Sequence, residues 1–589
     1  LLVRDAHVVV AADATLYYRD DLRKRLSERR VRVAGQTPSH LVAAAYRAWG
    51  ERCAEHLEGD FAFVLWDQRL KQLVAARDIA GSRPLYFSAA ENGVAFASAA
   101  HALLDNAGSD SSLDLAVIAE SLAGYVRPGG ATCYRGVRRL DAGTTATFSS
   151  TRGLRIVETW KLIGAPDLRS SAHDDADELT DLVSRAVAER MNARQRITVW
   201  LGRGRGRGSD FGAASVFGSA MARAREQDRG AGVIALATWE GQESGDSHIE
   251  WSDRSSAGNS GSVHWLSMPN AESSGADFRI VGHDGLPIAG RAAHVHWMAR
   301  TAVQAGSRIA LYGAGSGLLA TSSWTHLSDM LITGRWFGLL REWRAALRGG
   351  VSSFDFIKSA LTPLVPTSMV RASMLLGAAI PADDLRLRVP EWVDAAFARR
   401  HSLSRYVRMR ARRRRGERLA LSDEGWRVCA ASACNANAGL AELALTAGVE
   451  LRAPLRDQRI VAFALSRLRA QSVDARTLLL RRVRAQLTGV AHGDAAQSRA
   501  IKPHALDTSR LLHDCLTHNG DPATLVALGV VDVRAFRAAC DRYRHTRDEG
   551  LAQRLLLTLE TERWLRRREA REERQPDSGG LLPALAPAV

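Results

Sequence analysis

The chain has 589 residues, 46% of them hydrophobic and 24% charged, an ordinary globular composition that excludes disorder over most of its length and, at roughly 100–200 residues per domain, accommodates several domains. Eighty Lys and Arg against 64 Asp and Glu give a net charge of +16, but only five of those cations are lysines (24, 71, 161, 358 and 502). That arginine bias reads as GC-rich coding, so nucleic acid is not the expected partner, with Arg408–Arg418 the place to look for it. No uncharged apolar run reaches the roughly 20 residues of a bilayer span, and six scattered cysteines without a C-x-x-C exclude a disulfide scaffold or zinc ribbon. The expectation is a cytoplasmic protein with no membrane partner.

From residue 1 to about 160 the texture is strand-rich. Val8–Val10, Phe61–Trp66, Gln72–Ala76, Leu85–Phe87 and Val94–Ala97 are short apolar or alternating runs, separated by turn residues at Asp67-Gln68-Arg69, Gly81-Ser82 and Asn92-Gly93. One helix is predicted over His40–Glu55, with Leu41, Ala44, Ala45, Ala48 and Trp49 on one face and Ser39 as its cap. Residues 161–174 break the pattern and read as a linker. Then follow an amphipathic helix Asp174–Met191, a buried-type strand Arg196–Leu201 that runs into glycines, and a small-residue helix Gly212–Arg225. A strand Val233–Thr238, a helix Ala292–Ala305 and a strand Arg308–Tyr312, again running into glycines, complete a rhythm that predicts a parallel α/β sheet. The polar stretch 241–263 reads either as a surface loop or as a lid over the sheet's carboxyl edge, and His248, Glu250, Asp253 and His264 read as loop polars rather than metal ligands. After residue 320 nearly everything reads helical to about Arg574, and 575–589 reads as a disordered tail. Trp200, Trp239, Trp336 and Trp343 are expected in the core.

Two segments carry candidate chemistry. Leu201-Gly-Arg-Gly-Arg-Gly-Arg-Gly-Ser-Asp210 lies between a strand and a helix. Glycines there let backbone N–H groups approach a phosphate, and a helix N-terminus adds partial positive charge. Arginines in the loop would add direct phosphate contacts, and Asp210 could hold Mg²⁺ against them. The same residues also read as a Gly-Arg repeat in a flexible turn. A second glycine turn, Tyr312-Gly-Ala-Gly-Ser-Gly-Leu318, follows a later strand, and two such turns would flank one crevice at the carboxyl edge of the sheet.

Leu57-Glu-Gly-Asp-Phe-Ala-Phe-Val-Leu-Trp-Asp67, Ala76-Arg-Asp-Ile-Ala-Gly-Ser-Arg-Pro-Leu-Tyr86, Phe96-Ala-Ser98 and Gly136-Val-Arg-Arg-Leu-Asp-Ala-Gly143 resemble the N-terminal domain of the asparagine synthetase superfamily. Gly448-Val-Glu-Leu-Arg-Ala-Pro-Leu-Arg-Asp457 and Ser498-Arg-Ala-Ile-Lys502 resemble its later segments. The resemblance implies an α+β, amidotransferase-type (Ntn-like) β-sandwich over 1–160, then an α/β ATP-pyrophosphatase (PP-loop) domain over 175–574 with a helical C-terminal part. It also implies ATP and Mg²⁺ as cofactors, and the first domain is expected to be N-terminally truncated.

Within the superfamily, glutamine hydrolysis uses an N-terminal Cys and an Asn-Gly oxyanion turn. This chain has Asp13-Ala14 at the latter place, losing a carboxamide donor, so glutaminase activity is not expected. Asp13–Arg23, Ala45–Gly50 and Leu327–Trp336 look most like lasso-peptide cyclases, relatives of β-lactam synthetases. That resemblance implies macrolactam closure of a ribosomal precursor peptide through an acyl-adenylate. It further implies a leader-recognition or leader-peptidase partner. Glutamine-hydrolysing asparagine synthetase and a non-catalytic binding relative are the alternatives. The family's pyrophosphate loop falls on Gly206, Arg207, Gly208, Ser209 and Asp210, with Asp210 the metal carboxylate, and its second loop on Gly313, Gly315 and Ser316. There Gly317 and Leu318 stand where the family has Asp and Glu. Lys502 would neutralise charge on the α-phosphate and the developing oxyanion, with Arg499 as a phosphate clamp. Glu450 and Asp457 are read as structural, pairing with Arg452 and Arg456.

Overall fold

The computed structural model of the chain describes residues 2–90, 93–104, 110–124, 127, 129–159, 172–191, 196–201, 209–226, 233–239, 262–267, 292–320, 325–348, 352–361, 364, 389–403, 431–468, 473–488, 512, 516 and 520–574. The tail 575–589, the basic run 408–418 and most of the linker lie outside the described residues, although 172–174, read as linker, already open the helix Ala172–Arg190.

Nine strands form the N-terminal part: β1 (Leu2–Asp5), β2 (Val8–Leu16), β3 (Gly59–Asp67), β4 (Gln72–Arg77), β5 (Tyr86–Ala90), β6 (Gly93–Ala97), β7 (Arg138–Arg139), β8 (Thr144–Ser149) and β9 (Gly153–Glu158). They make a six-stranded antiparallel sheet in the order β1-β2-β3-β4-β8-β9 and a three-stranded one in the order β6-β5-β7. Strand alternation sorts β3 onto two faces. Ala62 and Val64 meet Leu85, Phe87 and Leu140 between the sheets. Phe61, Phe63 and Leu65 point the other way, under the helices Arg19–Glu28 and Pro38–Trp49. The expected sandwich is therefore present with a helical layer on its outer face.

The helix predicted from His40 begins at Pro38, with Thr37 rather than Ser39 at its cap, and gives way at Gly50 (φ 60) to a 3₁₀ turn Gly50–His56. Proline suits a first helical position because its missing N–H would be unpaired there anyway. Ser39 is buried inside the helix.

The second half is built on a five-stranded sheet: β10 (Arg196–Leu201), β11 (Val233–Trp239), β12 (Ser262–Ser267), β13 (Ser307–Tyr312) and β14 (Glu450–Arg452). All neighbours are parallel, in the order β12-β11-β10-β13-β14. Two of these strands correct the sequence reading. Ser262 and His264, taken as loop, lie on β12, and β14 interrupts the half read as helical. Ile197, Val199, Ile309 and Leu311 face the helices Ala172–Arg190, Ser209–Glu226 and Val473–Thr488, whereas Trp200 and Ala310 face Ala292–Gln304 and Ala431–Thr446. Helices on both faces are what an all-parallel sheet requires, since its crossovers cover each side.

The two halves share apolar packing. Ile118, Leu122, Cys133 and Tyr134 join Trp392, Phe536, Leu555 and Leu559 of the C-terminal helices in one core cluster. Two polar contacts hold it: Trp392 Nε1 donates to Thr558 Oγ1 at 3.0 Å, and Glu562 accepts the Thr524 and Leu525 N–H groups at 2.9 Å.

Candidate functional site

From β10 the chain continues to β11 and β12 on one side of the sheet, then returns to place β13 on the other side. The crevice between β10 and β13 is thus the topological switch point, where open α/β sheets bind ligands outside their carboxyl ends. Trp200 and Tyr312 are register partners near the ends of these strands, each followed in sequence by a glycine segment, of which 202–208 lies outside the described residues. The helix Ser209–Glu226 leaves the first and the short helix Ser316–Ala320 leaves the second, and these helices pack against one another.

At the second bend Gly315 has φ +105, and a Cβ there would lie 2.7 Å from the Leu455 carbonyl oxygen, so only glycine fits. The Leu318 N–H donates to the Gly315 carbonyl at 3.0 Å, and Ser316 is buried at the helix start. Gly313, Gly315, Ser316 and the backbone of Ser209 and Asp210 are brought to neighbouring strand ends. Gly206, Arg207, Gly208, Arg499 and Lys502 lie outside the described residues.

Leu455 belongs to a segment that ties this crevice to the N-terminal sheets. Glu450 at the start of β14 accepts from Thr15 Oγ1 at 2.7 Å, Arg83 at 2.7 Å and Arg452 at 2.8 Å. Asp457 takes Arg190 as its partner at 2.8 Å, rather than the expected Arg456, and accepts from Tyr18 Oη at 3.1 Å. Two guanidiniums cover tyrosine rings, Arg190 at 4.0 Å from the Tyr17 centroid and Arg459 at 3.7 Å from that of Tyr18. Arg459 also pairs with Glu58 and Asp21. Sequence reasoning missed the roles of Thr15, Tyr17, Tyr18, Arg83, Arg190 and Arg459, whose partners are distant in sequence, from 43 positions for Tyr17 and Asp60 to 439 for Tyr18 and Asp457.

On the N-terminal side Arg83 faces Asp13 (3.6 Å), and Asp60 accepts from Tyr17 Oη (2.6 Å) and Ser82 Oγ (2.9 Å). Asp13 and Ala14 sit inside regular β2 pairing, opposite Ala62 and Phe61, so position 13 offers an acceptor-only carboxylate and no side-chain N–H. Asp78 is buried and accepts backbone N–H groups from Phe61, Ser82 and Arg83.

Burial, with Asp60 alongside, pushes the Asp78 carboxyl up to about 6. An Asp in an unfolded chain titrates near about 3.9. Between those values the folded chain holds a proton that the unfolded chain releases, so this group's contribution to stability is full in acid and is lost as pH rises through the folded pKa. Glu450 has the opposite sign. Burial pushes it up, but Arg452 and Arg83 outweigh burial and hold it below the usual range, so its contribution is lost as pH falls. Asp78→Asn removes the first term alone. The stability of the natural chain relative to this variant should fall on the order of 2–3 kcal/mol between about pH 4 and 7, measured by denaturant unfolding. A difference that stays flat across that window would contradict a buried, protonated Asp78.

Comparison with known proteins bears on the N-terminal part of this architecture. The glutamine amidotransferase domain family matches residues 1–159. Asparagine synthetase [glutamine-hydrolyzing] 3 of Bacillus subtilis is 28% identical over 184 residues, covering 31% of this chain and 29% of that protein. A putative asparagine synthetase of Mycobacterium bovis is 28% identical over 195 residues, covering 32% and 29%. The matched region thus spans less than a third of these relatives' own length. Among solved structures, the allosteric regulatory enzyme of purine biosynthesis overlaps at a TM-score of 0.20 and 13% identity, covering 45% of this chain and 62% of that one, too loosely to bear on the fold. The first 159 residues match the glutamine amidotransferase domain family, and over about a third of its length the chain is similar to asparagine synthetases.

Proposed function

We propose that this chain is an ATP-dependent, AMP-forming ligase that makes an amide bond, and that its reaction is macrolactam closure of a ribosomal precursor peptide. The observation that supports the reading is the glycine bend from Gly313 to Ser316, which ends β13 beside β10 at the switch point of the parallel sheet. Gly315 suits a tight turn of this kind, because its positive φ and the Leu455 backbone exclude a side chain. Metal ligation is less well provided. Asp210 would hold Mg²⁺, Gly317 and Leu318 supply no carboxylate, and among the described residues no group of three His, Cys, Asp or Glu side chains converges as a metal site.

The chemistry follows from the inertness of a carboxylate toward amines. A side-chain carboxylate oxygen of the peptide attacks the α-phosphorus of ATP and pyrophosphate leaves. The peptide's N-terminal amine then adds to the acyl carbon, loses a proton and expels AMP, closing the ring. Holding the amine close replaces a bimolecular encounter. Lys502 and Arg499 take the role of balancing phosphate and oxyanion charge. The acceptor-only Asp13 favours a nucleophile other than glutamine-derived ammonia, and the N-terminal domain then serves as a docking module for the sheet through Glu450 and Asp457. A leader-recognition or leader-peptidase protein is the expected partner.

The names of the relatives favour a second reading, glutamine-dependent asparagine synthesis. Incubation of the full chain with ATP, Mg²⁺ and a candidate precursor peptide should release AMP and give a product lighter by one water, and Lys502→Ala should abolish both. Glutamine hydrolysis with aspartate as acceptor would select the second reading. An unchanged nucleotide pool with either substrate would leave a binding protein of the same fold.

A further inference from the structure

Beyond the glycine bends the chain builds a small helical unit whose outer side is apolar and cationic. The helices Thr325–Ile332, Trp336–Arg348 and Ser353–Leu361 pack on one another around Leu327, Phe356 and Ala360, with Leu339 and Trp343 partly buried against them. The Ser328 hydroxyl donates to the Ala360 carbonyl at 2.7 Å, fastening the first helix to the third. Fifteen large apolar side chains are exposed among the described residues, and eight of them fall between Ile332 and Leu361. Trp336, expected in the core, is 62% exposed, and Phe337 is 92% exposed. On the third helix Phe354 (73% exposed), Ile357 and Leu361 recur at one-face spacing. Such a concentration of exposed apolar surface marks an interaction site.

The exposed charges of this unit are mostly cationic, with Asp355 the exposed carboxylate among its described residues. Arg335, Arg341 and Arg344 are exposed and make no ion pair among the described residues. Glu342 is turned inward, buried and 4.0 Å from His326, and Asp355 bonds Ser352 at the start of its own helix.

We propose that this face is a peripheral docking surface for an anionic lipid bilayer. Aromatic and aliphatic side chains flanked by arginines are the composition of helices that lie in the membrane interface, with apolar tips among the acyl chains and guanidiniums at the headgroups. The near-complete exposure of Phe337 and Phe354 makes them projecting tips rather than the walls of a groove that receives a peptide helix. A second copy of the same face would set arginine against arginine, so self-association is disfavoured. No helix among the described residues is long and apolar enough to cross a membrane. Interfacial contact does not need one. The inference does not depend on the ligase reading.

The test is co-sedimentation of the full chain with vesicles of phosphatidylglycerol and phosphatidylcholine, against vesicles of phosphatidylcholine alone. Partitioning should be about tenfold stronger on the anionic vesicles and fall with added salt. The double substitution Phe337→Ser with Phe354→Ser should lower it about tenfold, and Arg341→Glu with Arg344→Glu should lower it comparably on anionic vesicles. Because all four side chains are exposed, the thermal midpoint should stay unchanged, which keeps loss of binding separate from loss of fold. Equal retention on both vesicle types, or anionic binding that survives both variants, would overturn the proposal. A stoichiometric protein partner lost in the same variants would reassign the face to that protein.

Discussion

Asp457→Ala is expected to destabilise the chain by about 3–5 kcal/mol, the cost of leaving a buried charge without its partner. Arg190 and Asp457 are both almost fully buried, at 4% and 3% exposure, and the guanidinium has been taken out of water onto the Tyr17 ring. Removing the carboxylate strands it there. It also takes away the acceptor of the Arg459 N–H at the start of the helix Gln458–Ser466, a loss of about 1 kcal/mol. Asp457→Asn separates the two contributions, since asparagine caps a helix as well as aspartate but carries no charge. It should keep the cap and still lose most of the stability. Chemical denaturation of the three proteins measures this, and an alanine variant within about 0.5 kcal/mol of the natural chain would contradict a desolvated pair. Because Tyr18 and Arg459 link the same network to the N-terminal sheets, the loosened variant should also be cut faster by protease between the two halves.

Gly315→Val should eliminate nucleotide binding. At φ +105 any β-branched residue is strained, and its Cβ would collide with the backbone of Leu455, at 2.7 Å from the oxygen and 2.8 Å from the carbon. Backbone atoms cannot rotate aside as a side-chain tip can, so the bend must move away from the turn Pro454–Arg456. Affinity for Mg·ATP should fall at least about tenfold, with a lower thermal midpoint from the local strain of about 1–3 kcal/mol. Gly317 is the internal control. Nothing lies within 4 Å of a Cβ placed there, so Gly317→Ala should leave both affinity and midpoint unchanged. Titration calorimetry distinguishes the outcomes, and equal affinities for the valine and alanine variants would remove the second bend from the site.

The parts of the fold legible in the sequence are those with a buried, uniform pattern. β10 and β13 are apolar runs ended by glycine, and both fall where the periodicity places them. β12 was hidden because an edge strand of sequence Ser-Val-His-Trp-Leu-Ser begins inside a polar stretch, and three-residue β14 because it reads as charged turn. Trp336 shows a different limit. Helical spacing identifies an apolar face, but not whether anything covers it. The network at Glu450 and Asp457 was assigned to neighbouring arginines by proximity in sequence. Glu450 does pair with Arg452, but its further partner Arg83 and the Asp457 partner Tyr18 are 367 and 439 positions away, pairings that only the docking of the halves creates. Within the candidate site the bend at Gly315 was legible because glycine after a buried strand has a specific steric use, whereas the segment 202–208 lies outside the described residues. The roles given to Lys502 and Arg499 rest on resemblance.

Hydrogen exchange of the full chain with and without Mg·ATP tests the central claim most directly. Slower exchange at the amides of 202–210 together with 313–318 is the result expected if phosphates bind across the ends of β10 and β13. Protection confined to other segments, or none at saturating nucleotide, would contradict a phosphate site at the switch point of this sheet.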